Sequence, residues 1–91
     1  MTGGKREIGW KRRDAEGQRV QVKAQKTGNR WHFHIRGRKF EDWQLLEEPP
    51  LEDWLELLDC VRRRIQRNLV PEVEEDLLKR VIRDHYPEAK L

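Results

Sequence analysis

The sequence has one cysteine among its 91 residues. Cys60 alone closes no disulfide within the chain. Secreted domains of this size usually carry several, so the expected compartment is intracellular and cytoplasmic. No apolar run approaches the roughly 18 residues that a membrane helix requires. The opening Met1-Thr2-Gly3-Gly4-Lys5-Arg6-Glu7 has no apolar stretch after its basic residues and does not read as a secretory signal. No membrane partner is expected.

Catalytic signatures are missing as well. The chain has no glycine-rich phosphate loop, no paired catalytic carboxylates on one element and no nucleophile with an activating partner. A protein that is not an enzyme and uses no cofactor is therefore expected. Cys60 sits beside an apolar stripe, with no His or Asp patterned to activate it, and reads as a small core residue. His32 and His34 lie two apart on one candidate strand without Cys or carboxylate at ligand spacing, so no metal site is expected. Their expected role is added positive charge near phosphate.

Apolar residues are scarce too. Leu, Ile, Val and Phe make up 22 of 91 residues, about 24%, just above the roughly 20% below which chains tend to stay disordered. Hydrophobic residues are 35% and charged residues 41%, so four tryptophans must supply much of the buried area. The expectation is a single domain over residues 1–91. Homodimerisation, through the helices or a Trp-rich surface, would relieve the shortage of core.

What is present is charge, unevenly placed. Residues 1–40 carry 12 Lys and Arg against Glu7, Asp14 and Glu16, a net of +9, whereas residues 41–91 carry 8 against 14 acids, a net of −6. An imbalance of this size between halves points to nucleic acid or another anionic surface.

The basic half alternates apolar and polar residues at period two, the signature of half-buried strands. Ile8 and Trp10 mark a first strand. Val20, Val22 and Ala24 mark a second after the turn Asp14-Ala15-Glu16-Gly17, and Trp31, Phe33 and Ile35 mark a third after Thr27-Gly28-Asn29. A two-residue Gly37-Arg38 hairpin would start a fourth strand at Lys39 and pair Ile35 with Phe40. That register sets Phe33 against Asp42, so a short bulged strand or an irregular segment is the safer expectation.

The period changes after Pro49-Pro50. Leu51, Trp54, Leu55, Leu58, Val61, Ile65 and Leu69 recur at helical spacing. Glu52 and Asp53 lead this helix and Arg62, Arg63, Arg64 and Arg67 close it, the sense that suits the helix dipole. The basic cluster reads first as a solvated terminus paired with acids of the next helix. Pro71 opens a second helix, with Leu77, Leu78, Val81, Ile82 and His85 as its buried side, and Pro87 ends it. The predicted fold is α+β: a three-stranded antiparallel meander, with room for a short fourth strand, over about residues 7–46. Helices over about 50–68 and 71–86 follow, the first packed on one sheet face.

Strand alternation assigns faces. With Ile8, Trp10, Val20, Val22, Ala24, Trp31, Phe33 and Ile35 inward, the other face carries Lys11, Arg13, Arg19, Gln21, Lys23, Gln25, Arg30, His32, His34 and Arg36. The only acid in phase with them is Glu7, at the edge. Like charges on neighbouring strands repel, a cost most readily tolerated where an anion is expected. Lys and Arg supply affinity for phosphate, and Gln21, Gln25, Arg19 and Arg36 have the chemistry to contact base edges. No aromatic residue belongs to this face in the first three strands, which favours phosphate tracking or groove insertion over base stacking. Trp43 is expected as a core tryptophan under the first helix more readily than beside His32 on the outer face.

A three-stranded sheet backed by a helix resembles, in arrangement, the sheet-type DNA-reading domains of arm-site-binding integrase modules and related plant transcription factors. The sheet-then-helix order is similar to the Whirly and purine-element-binding single-strand binders, whose helix also begins with an acidic, Trp-containing turn like Leu51-Glu52-Asp53-Trp54. Both likenesses imply nucleic acid as partner. The expected function is a small nucleic-acid-binding module, DNA favoured over RNA, with those ten outer-face residues as its contacts. The alternative is an interaction or assembly module whose basic sheet meets an acidic protein or a second copy of the chain.

Overall fold

The computed structural model describes residues 7–28, 30–37 and 41–91. The chain divides into two compact units, Met1–Pro49 and Pro50–Leu91. The first holds a four-stranded antiparallel sheet of β1 (Glu7–Arg13), β2 (Arg19–Thr27), β3 (Arg30–Arg36) and β4 (Gln44–Leu46), in that spatial order. The second holds helices α1 (Leu51–Gln66) and α2 (Val73–His85). Sheet followed by helices is the expected α+β arrangement.

Turn chemistry sets the register of the first hairpin. The Asp14 carboxylate oxygen Oδ1 accepts the backbone N–H groups of Glu16 and Gln18, each at 2.9 Å. The Asp14 N–H donates to the Gln18 carbonyl at 2.8 Å, and the Gly17 N–H donates to the Asp14 carbonyl at 2.9 Å. Gly17 has φ +83°, the left-handed position that three-residue hairpin loops reserve for glycine. Arg13 then faces Arg19, and the pairing runs to Glu7 against Gln25. Between β2 and β3 the connection is two residues, and Gly28 takes φ +61°. Asn29, also expected in that turn, lies outside the described residues.

The fourth strand differs from the two-residue hairpin that Gly37-Arg38 suggested. Ile35 pairs with Gln44, His34 with Leu45 and Phe33 with Leu46. Arg38, Lys39 and Phe40 lie outside the described residues. A longer connection resolves the conflict noted above: Phe33 meets apolar Leu46 in place of Asp42.

Burial follows the alternation. Ile8, Val20, Val22, Ala24 and Phe33 are buried, all in one phase, and the Trp10 ring meets Phe33 edge-on with centroids 6.2 Å apart. In the helical unit, Trp54, Leu57, Leu58 and Val61 of α1 and Leu78 and Ile82 of α2 are buried. Leu57 is fully buried while Leu55 is 40% exposed, so the buried stripe is rotated from the one drawn through Leu55. On α2 the same shift leaves Leu77 exposed. His85, expected on the buried side, is exposed at its edge and stacks on Trp54, with ring centroids 5.2 Å apart and planes 22° from parallel.

Helix α1 ends in a left-handed stop. Asn68 adopts φ +61°, the Asn68 N–H donates to the Ile65 carbonyl at 2.9 Å, and the Leu69 N–H donates to the Arg64 carbonyl at 2.9 Å. This pair of bonds satisfies carbonyls that the helix end would otherwise leave open. Asparagine tolerates the conformation better than most residues with a Cβ.

An ion pair joins the helices. Arg62 Nε donates to Glu75 Oε2 at 2.7 Å, and Lys79 Nζ lies 3.4 Å from the same oxygen. The Arg62 bond, with help from Lys79, holds the Glu75 carboxyl below its ordinary value of 4.5. A lowered carboxyl stabilises the fold above its ordinary value, and the contribution is lost as pH falls through the depressed one. Glu75→Gln should therefore lower thermal stability at pH 7, by less than about 1 kcal/mol for so exposed a pair. The gap between variant and parent melting curves should close below pH 4.5. An equal gap at both pH values would refute the assignment.

Candidate functional site

Directly opposed residues in an antiparallel sheet share a face, so the register reads out the outer surface row by row. One row is Lys11, Gln21 and Arg36, and the next is Gly9, Lys23, His34 and Leu45. A third is Glu7, Gln25 and His32, and the sheet ends add Arg13 opposite Arg19 and Arg30 opposite Thr27. All ten residues expected on this face are brought together on it. Lys11, Arg13, Arg19, Arg30 and His32 are exposed, whereas Gln21, Lys23, Gln25, His34 and Arg36 are half-buried.

Few of these cations are neutralised by a described residue. Among the described residues the ion pair formed by this set is Lys23 Nζ to Glu7 Oε2, at 3.4 Å. Arg36 Nε donates to Gln21 Oε1 at 2.7 Å, and Arg13 Nη1 donates to the Gly17 carbonyl at 2.8 Å. Both are neutral acceptors that orient a guanidinium without cancelling its charge. Arg13 and Arg19 stand directly opposite, the arrangement that costs most by repulsion.

Trp43 corrects the sequence reading. It is half-exposed, and its ring lies against two outer-face cations: Lys23 Nζ and Arg36 Cζ are each 4.4 Å from the ring centroid. It belongs with Lys23 and Arg36 rather than with His32, because Ile35 pairs with Gln44 and Trp43 therefore precedes β4 at the Arg36 end of β3. Each contact contributes about 0.5–1 kcal/mol at an exposed site, more where water is excluded.

Beside the ring is an open concavity of about 300 Å³, whose lining includes Glu7, Gly9, Lys11, Gln21, Lys23 and Trp43. Sequence reasoning named Trp43 but favoured the core for it, and it did not single out Gly9. The signal for Gly9 was available, since it is the one position of the outer phase in β1 with no side chain.

Comparison with protein-family models, curated proteins and solved structures finds no match to this chain. The chemistry of the face must therefore be read from its own residues.

Other constellations offer less. Among the described residues no cluster of three or more His, Cys, Asp or Glu has the geometry to hold a metal ion, and no helix is long and apolar enough to cross a membrane. Burial pushes the Cys60 thiol above its ordinary value, against the lowering effect of the Arg63 guanidinium 3.3 Å from Sγ. Arg62 pairs with Glu75 of α2, as the sequence reading preferred, while Arg63 is held by Asp59 at 3.2 Å within its own helix.

His34 carries a cost. Among the described residues its buried Nδ1 has no hydrogen-bond partner, and it lies between Lys23 and Leu45 in the register. An unpaired buried polar atom costs about 1–3 kcal/mol. His34→Phe keeps a planar ring suited to a strand and removes that atom, so the melting temperature should rise, by the equivalent of about 1 kcal/mol. A lower melting temperature would show that the imidazole makes a contact worth more than its unpaired nitrogen costs.

Proposed function

We propose that this chain is a non-enzymatic nucleic-acid-binding module whose outer sheet face grips phosphate. The observation that carries the reading is the gathering of Lys11, Arg13, Arg19, Lys23, Arg30 and Arg36 on one face with Glu7 as their one paired carboxylate among the described residues. Such a surface releases counterions when phosphates replace them, which makes affinity fall steeply with salt. Gln21 and Gln25 supply neutral hydrogen-bonding groups between the charges, and His32 and His34 add imidazole rings beside them.

The test separates charge from architecture. Arg19 and Arg30 are exposed and lie away from Trp43 in the register, so reversing them leaves the ring contacts in place. Binding of labelled oligonucleotides should be measurable at about 50 mM salt and fall by tenfold or more at about 200 mM. Arg19→Glu with Arg30→Glu should abolish it, with an unchanged circular dichroism spectrum. Unchanged affinity in the double variant would sink the reading.

A second reading has its own observation. Leu69, Val73 and Leu77 are 64%, 55% and 42% exposed, and Val73 and Leu77 are one turn apart on α2. The helix starts with Glu74, Glu75 and Asp76 and ends with Arg83 and His85. A second copy laid antiparallel along it sets acidic start against basic end while covering the apolar stripe. This homodimer is compatible with the phosphate grip, which uses other residues. Sedimentation should show a dimer at micromolar concentration that Leu77→Glu converts to monomer. A parent protein that is monomeric throughout that range would exclude it.

A further inference from the structure

Gly9 stands in the interior of β1 at a position that nothing in the fold reserves for glycine. Its φ is not in the left-handed region, where Gly17 and Gly28 lie. A Cβ built there would meet the Val22 carbonyl oxygen at 3.5 Å and the Lys23 Cβ at 3.9 Å, ordinary contact distances. Glycine inside a strand costs stability relative to alanine and commonly marks a place where something else approaches the backbone. Its neighbours on the outer face, Glu7, Lys11, Gln21 and Lys23, all carry long side chains. Gly9 therefore forms the floor of the concavity and Trp43 contributes to its lining.

We infer that this notch takes one unpaired base of a single-stranded nucleic acid, stacked against Trp43, an assignment that rests on the phosphate-grip reading. The three parts of a nucleotide find matching groups. A planar base fits a floor without side chains and an indole wall, and base–aromatic stacking tolerates any base because each has a π-face. Glu7 and Gln21 at the rim offer acceptors and, from the Gln21 amide, donors for a base edge. Lys11 and Lys23 line the same concavity and meet the adjoining phosphates.

The cation contacts at the ring give the site a way to exchange partners. Lys23 and Arg36 now rest 4.4 Å from the Trp43 centroid. A base that takes an indole face displaces the cation resting there and frees it for phosphate, so stacking and charge neutralisation are coupled. A duplex cannot do this without flipping a nucleotide, because its bases are already stacked and paired. The groove-insertion mode favoured by the sequence pattern needs no notch, and it leaves Trp43 and Gly9 without a role.

The full-length chain is titrated by anisotropy with a labelled single-stranded thymidine oligonucleotide, the matching uridine oligonucleotide and a duplex of equal length, at about 50 mM salt. Single strands should bind more tightly than duplex. Gly9→Leu, which fills the notch, should weaken single-strand binding by about tenfold and leave duplex binding unchanged. Trp43→Leu should likewise weaken single-strand binding more than duplex binding and serves if Gly9→Leu does not fold. Tryptophan fluorescence of the parent should be quenched by the single strand, with the quench reduced in Trp43→Leu. Equal binding of single strand and duplex, unaltered by either substitution, overturns the notch and leaves the phosphate grip standing. Failure of the parent to bind any of the three overturns both.

Discussion

Asp14 holds the sheet in register, and the composition of the outer face depends on that register. Its carboxylate gathers two backbone N–H groups while its own backbone closes the loop on Gln18 and Gly17. Strand pairing has a strict period of two, so a slip of one residue along β1 would exchange Ile8 and Trp10 for Gly9 and Lys11. The apolar phase resists that slip from one side and the turn resists it from the other. Local turn chemistry and the burial pattern agree, which is the condition under which a small chain with few apolar residues still folds to one arrangement.

The electrostatic cost of the resulting face is real and only partly relieved within the sheet. Glu7 draws on Lys23, Gln21 orients Arg36, and Trp43 shares its ring between both cations. These contacts hold the central side chains in place. The exposed Arg19 and Arg30, toward the ends of the strands, are left to solvent. The face thus has an ordered middle and a looser basic rim, the division that the proposed phosphate grip would use.

The alternation of residues 8–35 made three strands and their two faces legible before any coordinates, because a period of two is hard to produce by chance over so many positions. The positions of the helices were equally clear from Pro49-Pro50, Pro71 and Pro87. The rotation of α1 was not: Leu55 and Leu57 flank the same apolar stripe, and only packing decides that Leu57 is buried and Leu55 exposed. Trp43 was misread for a related reason. The Gly37-Arg38 signal understated the connection. The resulting four-residue shift, being even, keeps the indole on the outer face while moving it from His32 toward Arg36. What failed is the large aromatic's expected place in a thin core.

Cys60 has a practical side. Burial keeps its sulfur in the thiol form, and the thiol is a far poorer nucleophile than the thiolate. The lower thiolate fraction slows alkylation there relative to a cysteine whose thiol is not so raised. A cysteine introduced at an exposed position of the sheet would react first, so a single dye can be placed near the indole without removing the native sulfur.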